Sequence, residues 1–353
     1  MPVTAMTRTD GPETQRIIRA GQQEALPTML RGRTHRSTVG VLAFETMKQL
    51  PAFHMLDSAR RSGALRPGQT VVETSSGTFA LGLARVAPAM GHPCLIAADR
   101  AISPDLQAAI EARGAEVRFV EAPLDATNVQ VLRKELLAEL ARENDGFIPN
   151  QYGNPANPES YRAAAEIACA AAGWVDVLVT TVGSGGHSRG LASLRAVNSR
   201  LRIVAVDTFG SVLFGLPAGP RALRGLGNGL MPANVDHDIY NAVHWVIEDV
   251  ALEGVLRIEE AGLGERGLTS GAAWMVAQWI ADLYPSASVL TVFPDLGWRY
   301  REQVGGFRLR RESIEPPAPL RIDRLDRAAE PWSWMRWGPG MLKRALKAAG
   351  GDC

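Results

Sequence analysis

Gly183-Ser-Gly-Gly-His-Ser-Arg-Gly190 is the segment of this sequence best suited to chemistry. It follows the apolar run Val175 to Val182, leads into a helical stretch, and is succeeded by a second apolar run, Ile203 to Asp207. A buried strand that turns through glycines into a helix presents free backbone N–H groups at the helix N-terminus, and this suits a phosphate. The pattern points to a phosphorylated cofactor.

Lysine usage narrows the choice. Of 38 basic side chains only four are lysines: Lys48, Lys134, Lys343 and Lys347. If the phosphate belongs to pyridoxal phosphate, one lysine must hold its aldehyde as a Schiff base. Lys134 lies in a run whose apolar positions recur at helical spacing, which places it on a solvated face. Lys343 and Lys347 share one stripe of a short basic helix near the end. Lys48, just ahead of an apolar helix, is the remaining candidate. A dinucleotide reading stays open at this point, because Gly183-x-Gly185 after a strand and Asp207 ending the next fit part of the Rossmann fingerprint. The third glycine comes late, at Gly190, and no obvious hydride-transfer acid is nearby.

Size and composition bound the rest. A chain of 353 residues, 46% hydrophobic and 21% charged, can bury a large core and suggests roughly two domains. A formal net charge of +1 gives no reason to expect nucleic acid or an acidic membrane as partner. Cys94, Cys169 and Cys353 have no CxxC spacing, which argues against a disulfide framework and a zinc site, so no metal is expected. No N-terminal apolar region and no long uncharged apolar run occurs, and a reduced cytoplasmic setting is the expectation.

Strands and helices alternate from Lys48 onward. Helices are expected at Pro51 to Ser62 (closed by Gly63), Thr78 to Ala89, Asp105 to Arg113 with Ser103 as cap, and Asn128 to Asn144. Strands are expected at Thr70 to Thr74, Cys94 to Ala98 and Glu116 to Val120. After the glycine loop come strands Arg202 to Asp207, His244 to Ile247 and Ser288 to Val292, with helices around Val255 to Ala261 and Gly271 to Leu283. Apolar strands alternating with helices imply α/β architecture with mostly parallel sheets covered on both faces. The break between two such units falls near Gly153 to Pro158. Residues 1 to 40 read as an extended or partly helical arm. Residues 301 to 353, with Trp332, Trp334 and Trp337, read as a tail packed on the body, with a substrate lid or subunit contact as alternatives.

Four loops follow Lys48 in order. Glu73-Thr-Ser-Ser-Gly-Thr78 brings hydroxyls and N–H groups to a helix N-terminus and can hold a carboxylate. Asn150-Gln-Tyr-Gly-Asn-Pro-Ala-Asn-Pro-Glu159 is rigidified by its Asn-Pro pairs. The Gly183 to Gly190 loop is third, and Gly267-Leu-Thr-Ser-Gly-Ala272 is fourth. In open parallel sheets such loops gather at the carboxyl ends of the strands, where ligands bind.

The order and wording of these loops resemble the cysteine synthase and cystathionine β-synthase branch of the fold-type II pyridoxal-phosphate enzymes, which includes the O-acetylserine sulfhydrylases. Gln151-Tyr-Gly-Asn-Pro-Ala-Asn-Pro-Glu is similar to that family's glutamine-aromatic-x-Asn-Pro-Ala-Asn-Pro segment. Ala218-Gly-Pro220 with Gly225-Leu-Gly-Asn-Gly-Leu-Met-Pro232 resembles its late glycine-rich loop. Glu259-Glu-Ala-Gly-Leu, then Leu268-Thr-Ser-Gly-Ala-Ala, resembles the stretch whose hydroxyl meets the pyridine nitrogen, and Phe293-Pro-Asp-Leu-Gly-Trp-Arg-Tyr300 resembles the final strand and turn. The likeness covers residues 45 to 302. It implies two three-layer α/β/α domains with the cofactor cleft between them, as in the tryptophan synthase β fold. An arm (1–44) would pack on the larger domain. A smaller domain (45–150) would carry the lysine, a larger one (151–300) the phosphate loop, and a tail (301–353) would follow.

Residue by residue, the resemblance puts Lys48 on the Schiff-base lysine and catalytic base. Gly183, Ser184, Gly185, Gly186 and His187 fall on the phosphate cup. Ser75, Ser76, Gly77 and Thr78 fall on the substrate-carboxylate loop, with Gln151 contributing from the other domain. Thr78 stands where the family has an asparagine that meets the cofactor's ring oxygen. Thr269, or Ser270 if the register differs by one, faces the pyridine nitrogen. His187 replaces a phosphate-binding threonine, where a cationic imidazole could pair with the dianion or crowd it. The implied activity is β-replacement on an O-activated serine or related β-substituted alanine, through an aminoacrylate. A small nucleophile then yields cysteine or a cysteine-like amino acid. Alternatives are β-elimination of the desulfhydrase type and a non-catalytic member. A homodimer is implied by the family alone.

Overall fold

The computed structural model describes residues 21, 23–75, 77–100, 102–121, 129–311 and 318–348. Ser76, residues 1–20 and 22 of the N-terminal arm, Asn128 and residues 349–353 lie outside the described residues. A first hairpin, β1 (Thr28–Arg33) and β2 (Thr38–Ala43), leads to α1 (Gln49–Arg61). Then β3 (Val71–Thr74), α2 (Thr78–Ala89), β4 (Cys94–Ala98), α3 (Pro104–Glu111), β5 (Glu116–Phe119) and α4 (Val129–Glu143) alternate. These three strands form a parallel sheet in the order β3-β4-β5. Helices α1, α2 and α3 bury Leu56, Phe79 and Ile110 on one face, and α4 buries Leu140 against Val72 and Leu95 on the other.

The chain continues with the short α5 (Ala156–Glu159) and α6 (Arg162–Ala172), β6 (Val177–Thr181), α7 (Gly186–Leu191) and β7 (Arg202–Thr208). After a long loop come β8 (Ala242–Val246), α8 (Glu248–Glu260), α9 (Leu268–Leu283), β9 (Val289–Phe293) and α10 (Arg301–Arg310). The last elements are β10 (Leu320–Arg321), β11 (Trp332–Arg336) and α11 (Met341–Ala348). The second sheet has eight strands in the order β1-β2-β9-β6-β7-β8-β11-β10. Its five central strands, β2, β9, β6, β7 and β8, are parallel, and burial on both faces explains their continuous Val, Ile and Leu runs. Helices α8 and α9 cover one face through Val255 and Trp274, while Tyr161, Phe214 and α6 cover the other. The α/β class with mostly parallel sheets is thus the observed one. No helix among the described residues is long and apolar enough to cross a membrane.

Several elements differ from the sequence-based expectation. Residues 28–43, read as an arm, form a hairpin on the edge of the large sheet. Strand β1 was not apparent because an edge strand is little buried, and of its six residues only Gly32 is fully covered. The tail contributes β11, antiparallel to β8, with Trp332 and Met335 buried. Helix α8 starts at Glu248, earlier than expected, because Glu248 and Asp249 supply favourable charge in its first turn. Helix α9 starts at Leu268 and draws Thr269 and Ser270 into its first turn.

The tail also closes an aromatic box. His244 on β8 is 1% exposed and accepts a hydrogen bond at Nδ1 from Trp332 Nε1 at 3.0 Å. Trp334 stacks on it with centroids 5.7 Å apart, and Trp279 of α9 meets it edge-on at 5.5 Å. Burial pushes the His244 imidazole down to about 3, so it is neutral.

Candidate active site

A cleft of about 1170 Å³ opens where the carboxyl ends of the two sheets meet. Its lining includes Ser75 just after β3, Asp99 after β4, Gly183 and Ser184 after β6, and Pro294 after β9. Strand ends feeding loops into one crevice are where open parallel sheets bind ligands.

Lys48 is the N-cap residue of α1. The preceding chain is pinned to the large sheet: Met47 N–H donates to the Pro294 carbonyl at 2.7 Å, and Thr46 bridges to Asp295. The side chain enters the cleft, and Nζ donates to Ser184 Oγ at 3.2 Å. Burial lowers its pKa to about 8, because a sheltered ammonium loses hydration. Lys134 and Lys343 are exposed and lie outside the cleft lining.

The glycine loop wraps the same space. Gly185 takes a left-handed φ of 81°, and a Cβ there would stand 2.6 Å from the Asn234 carbonyl oxygen. Gly186 packs on the Asn157 amide with no room for a side chain. Of the loop, Gly183, Ser184 and His187 line the cleft, while Gly185 and Gly186 shape it from behind. Helix α7 has only six residues, so anion binding here rests on local N–H groups and side chains more than on a macrodipole.

His187 is 4% exposed, and its Nε2 has no hydrogen-bond partner. Its pKa is pushed down to about 3, chiefly by burial and then by the Lys48 charge, against a backbone hydrogen bond with Thr181. The imidazole is therefore neutral, not the cation considered from sequence.

On the opposite wall Ser75, Gly77 and Thr78 line the cleft, and Ser75 Oγ accepts from Gly77 N–H at 3.2 Å. Gln151 faces them, its backbone held by three side chains. Its carbonyl accepts from Asn157 Nδ2 at 2.6 Å and Asn234 Nδ2 at 3.1 Å, and its N–H donates to Glu73 Oε2 at 3.2 Å. Thr269 lines the cleft beneath Gly225, whereas Ser270 is fully buried outside the lining. The structure therefore presents the first of the two hydroxyls to the cleft.

Sequence reasoning missed Glu73, Asn157 and Asn234, which act through the Gln151 backbone. It also missed a charged rim where Arg133 pairs with Asp99 at 3.3 Å, Arg224 approaches the same carboxylate at 3.9 Å, and Arg299 pairs with Asp295 at 2.5 Å. Asn157 lies inside a segment already singled out, and its complete burial is a feature only the fold reveals.

Two three-layer units meeting at a cleft, with one lysine facing a glycine-lined cradle, define an enzyme that holds a phosphorylated aldehyde cofactor. The family described as pyridoxal-phosphate dependent enzyme matches residues 43–295. The chain belongs to that family, and within it to the cysteine synthase branch. A cysteine synthase of Staphylococcus aureus is 33% identical over 262 residues, covering 72% of this chain and 83% of that protein. A putative cysteine synthase of Sinorhizobium fredii is 31% identical over 291 residues, covering 79% and 86%. Among solved structures, an O-ureido-L-serine synthase matches with a TM-score of 0.73 at 25% identity, over 80% of this chain and 92% of that one. A hydrogen sulfide-producing enzyme from Fusobacterium nucleatum has a TM-score of 0.75 at 22% identity, over 86% and 94%, and speaks to the fold alone. The protein is accordingly a pyridoxal-phosphate-dependent enzyme, and the dinucleotide reading is set aside.

Proposed function

We propose that this enzyme replaces the β-substituent of an O-activated serine or related β-substituted alanine with a small nucleophile, forming cysteine or a cysteine-like amino acid. The observation that carries the reading is the convergence of the Lys48 amine, the glycine cradle and the Thr269 hydroxyl in one cleft.

The residues present fit pyridoxal phosphate. His187 Nε2 is a buried polar atom without a partner, and the cradle excludes side chains at Gly185 and Gly186. Gly183, Ser184, Gly185, Gly186 and His187 would hold the phosphate, Lys48 the aldehyde carbon, Thr78 the ring oxygen, and Thr269 the pyridine nitrogen. When bound, the cofactor supplies the electron sink that acidifies the amino acid's Cα–H and lets the β-substituent depart.

The chain's own groups then divide the work. Ser75, Gly77 and Gln151 bind the substrate carboxylate and orient Cα–H toward Lys48. Once free, the Lys48 amine takes that proton as general base, and its lowered pKa keeps a useful neutral fraction near pH 8. Ser184 Oγ, at 3.2 Å, steers the amine. Thr269 offers a neutral hydroxyl, which does not hold a proton on the ring nitrogen as a carboxylate would. That restrains the electron sink and favours departure from Cβ over transamination. The family resemblance further supports a cytoplasmic homodimer, which sedimentation velocity would check.

The test is direct. Purified protein is reconstituted with pyridoxal phosphate and mixed with O-acetyl-L-serine, with and without sulfide. New cysteine supports replacement, whereas pyruvate and ammonia released regardless of nucleophile would convert the reading to elimination. A Lys48→Ala protein that kept the visible absorbance of the lysine-bound cofactor would overturn the site assignment.

A further inference from the structure

The side chain of Glu73 sits at the end of a fully buried strand, Val71-Val-Glu-Thr74, and is 2% exposed. A carboxylate in that setting is costly unless it is paired or well hydrogen-bonded. Among the described residues no cation forms an ion pair with it; its partners are backbone donors. Oε1 accepts from Thr74 N–H at 2.9 Å, and Oε2 accepts from Gln151 N–H at 3.2 Å, 78 residues further along the chain. The Asn150 backbone also contributes a hydrogen bond.

This placement joins two walls of the cleft. Thr74 leads directly into Ser75 and Gly77 on one wall, and Gln151 lines the other. Asn150, immediately before Gln151, has a left-handed φ of 56°, a conformation that persists in a non-glycine residue when surrounding contacts hold it. The Asn157 and Asn234 amides secure the Gln151 carbonyl, so Glu73 completes the clamp on its N–H side. The neighbouring titratable groups that feel its charge, the Cys94 thiol on β4 and the Tyr152 phenol, are both pushed up and stay neutral. An apolar residue would satisfy the strand better, so the carboxylate's value lies in what it holds.

We propose that Glu73 is a positioning residue for the substrate carboxylate, fixing the separation between the Ser75 loop and Gln151 so that both address one amino-acid carboxylate. The inference rests on the assignment of those two loops under the proposed function. It predicts that loss of the acceptor weakens amino-acid binding and leaves the cofactor in place.

The experiment uses holoenzyme. O-Acetyl-L-serine is titrated into wild type, Glu73→Gln, Glu73→Asp, Gln151→Ala and the Glu73→Gln/Gln151→Ala pair, and the visible spectrum gives amino-acid affinity. Pyridoxal phosphate affinity is measured in parallel. Glu73→Gln should weaken amino-acid binding by about tenfold or more, with cofactor affinity changed less than about twofold. Glu73→Asp should fall between. In the Gln151→Ala background the same change should add less than about threefold, because Glu73 acts through that residue. Unchanged amino-acid affinity in Glu73→Gln, or cofactor and amino-acid affinity falling together in both single variants, would overturn the proposal. Failure of both Glu73 variants to fold would do so too, by assigning the residue to the fold. A wild-type protein that binds no pyridoxal phosphate would overturn the cofactor reading itself and this inference with it.

Discussion

Acidification should unfold this protein partly through His244, and the size of the effect can be worked out. Trp332 donates a hydrogen bond into Nδ1 at 3.0 Å, so the ring's one proton sits on Nε2. A second proton would have to occupy Nδ1 and face another donor inside an aromatic box. Burial takes the pKa from 6.5 down to about 3. The unfolded chain therefore gains a proton below pH 6.5 that the folded chain refuses. The stability is fully present above that value and is lost as pH falls toward the folded pKa. Between pH 8 and pH 5 one such histidine removes about 2 kcal/mol. The perturbation is the pair His244→Phe/Trp332→Phe, which deletes donor and acceptor together and so orphans neither. Urea unfolding followed by circular dichroism at both pH values should show the variant losing about 2 kcal/mol less than wild type over the interval. Contributions from other groups, His187 included, cancel in the comparison. If both proteins lose the same amount, His244 either titrates freely in the fold or is not enclosed by the tail, and the reasoning fails.

Three further outcomes are expected. The rate at which cofactor-free protein captures pyridoxal phosphate should rise with pH and level off above about 8, tracking the neutral Lys48 amine in stopped-flow absorbance. Asp207, fully buried with its carboxyl pushed up from 3.8 to about 7, binds a proton that the unfolded chain releases, so its cost grows as pH rises. Asp207→Asn should therefore raise the urea midpoint more at pH 8 than at pH 5, with an upper bound of about 4 kcal/mol at the higher pH. Gly186→Ala drives a methyl group into the Asn157 amide. It should cost about 1–3 kcal/mol in thermal or urea unfolding and weaken cofactor retention measured by dialysis.

Much of the central architecture was legible because fully buried parallel strands announce themselves as unbroken apolar runs, as at Val177–Thr181 and Arg202–Thr208. Ser103 was readable as a cap, and its Oγ accepts from Leu106 N–H at 3.3 Å. Lys48 could be singled out by elimination among four lysines, and the glycine loop by its position after a strand. Elements at the sheet's ends were not legible. Strand β1 is mostly exposed, and β11 alternates tryptophan with serine and methionine in a way that reads equally as a surface tail. The clamp on Gln151 was hidden for a different reason. Glu73 and Asn234 reach it from 78 and 83 residues away and touch only its backbone, which leaves no trace in local spacing. The neutrality of His187 was equally invisible, since it depends on burial and on the nearby Lys48 charge.

The pairing of β11 with β8 has a consequence for biogenesis. The strands and helices of the three-stranded unit are all translated by the end of α4, and the Phe147 bridge and Gln151 contact that secure β3 follow shortly after it in the chain. The eight-stranded sheet, by contrast, takes its first strand from near the N-terminus and an inner one from residues 332–336. Until synthesis reaches those last tryptophans, β8 presents an uncovered backbone edge, a template for unwanted pairing between nascent chains. Premature termination before residue 332 should therefore yield a polypeptide that solubility factors must escort, even with every cleft residue already translated.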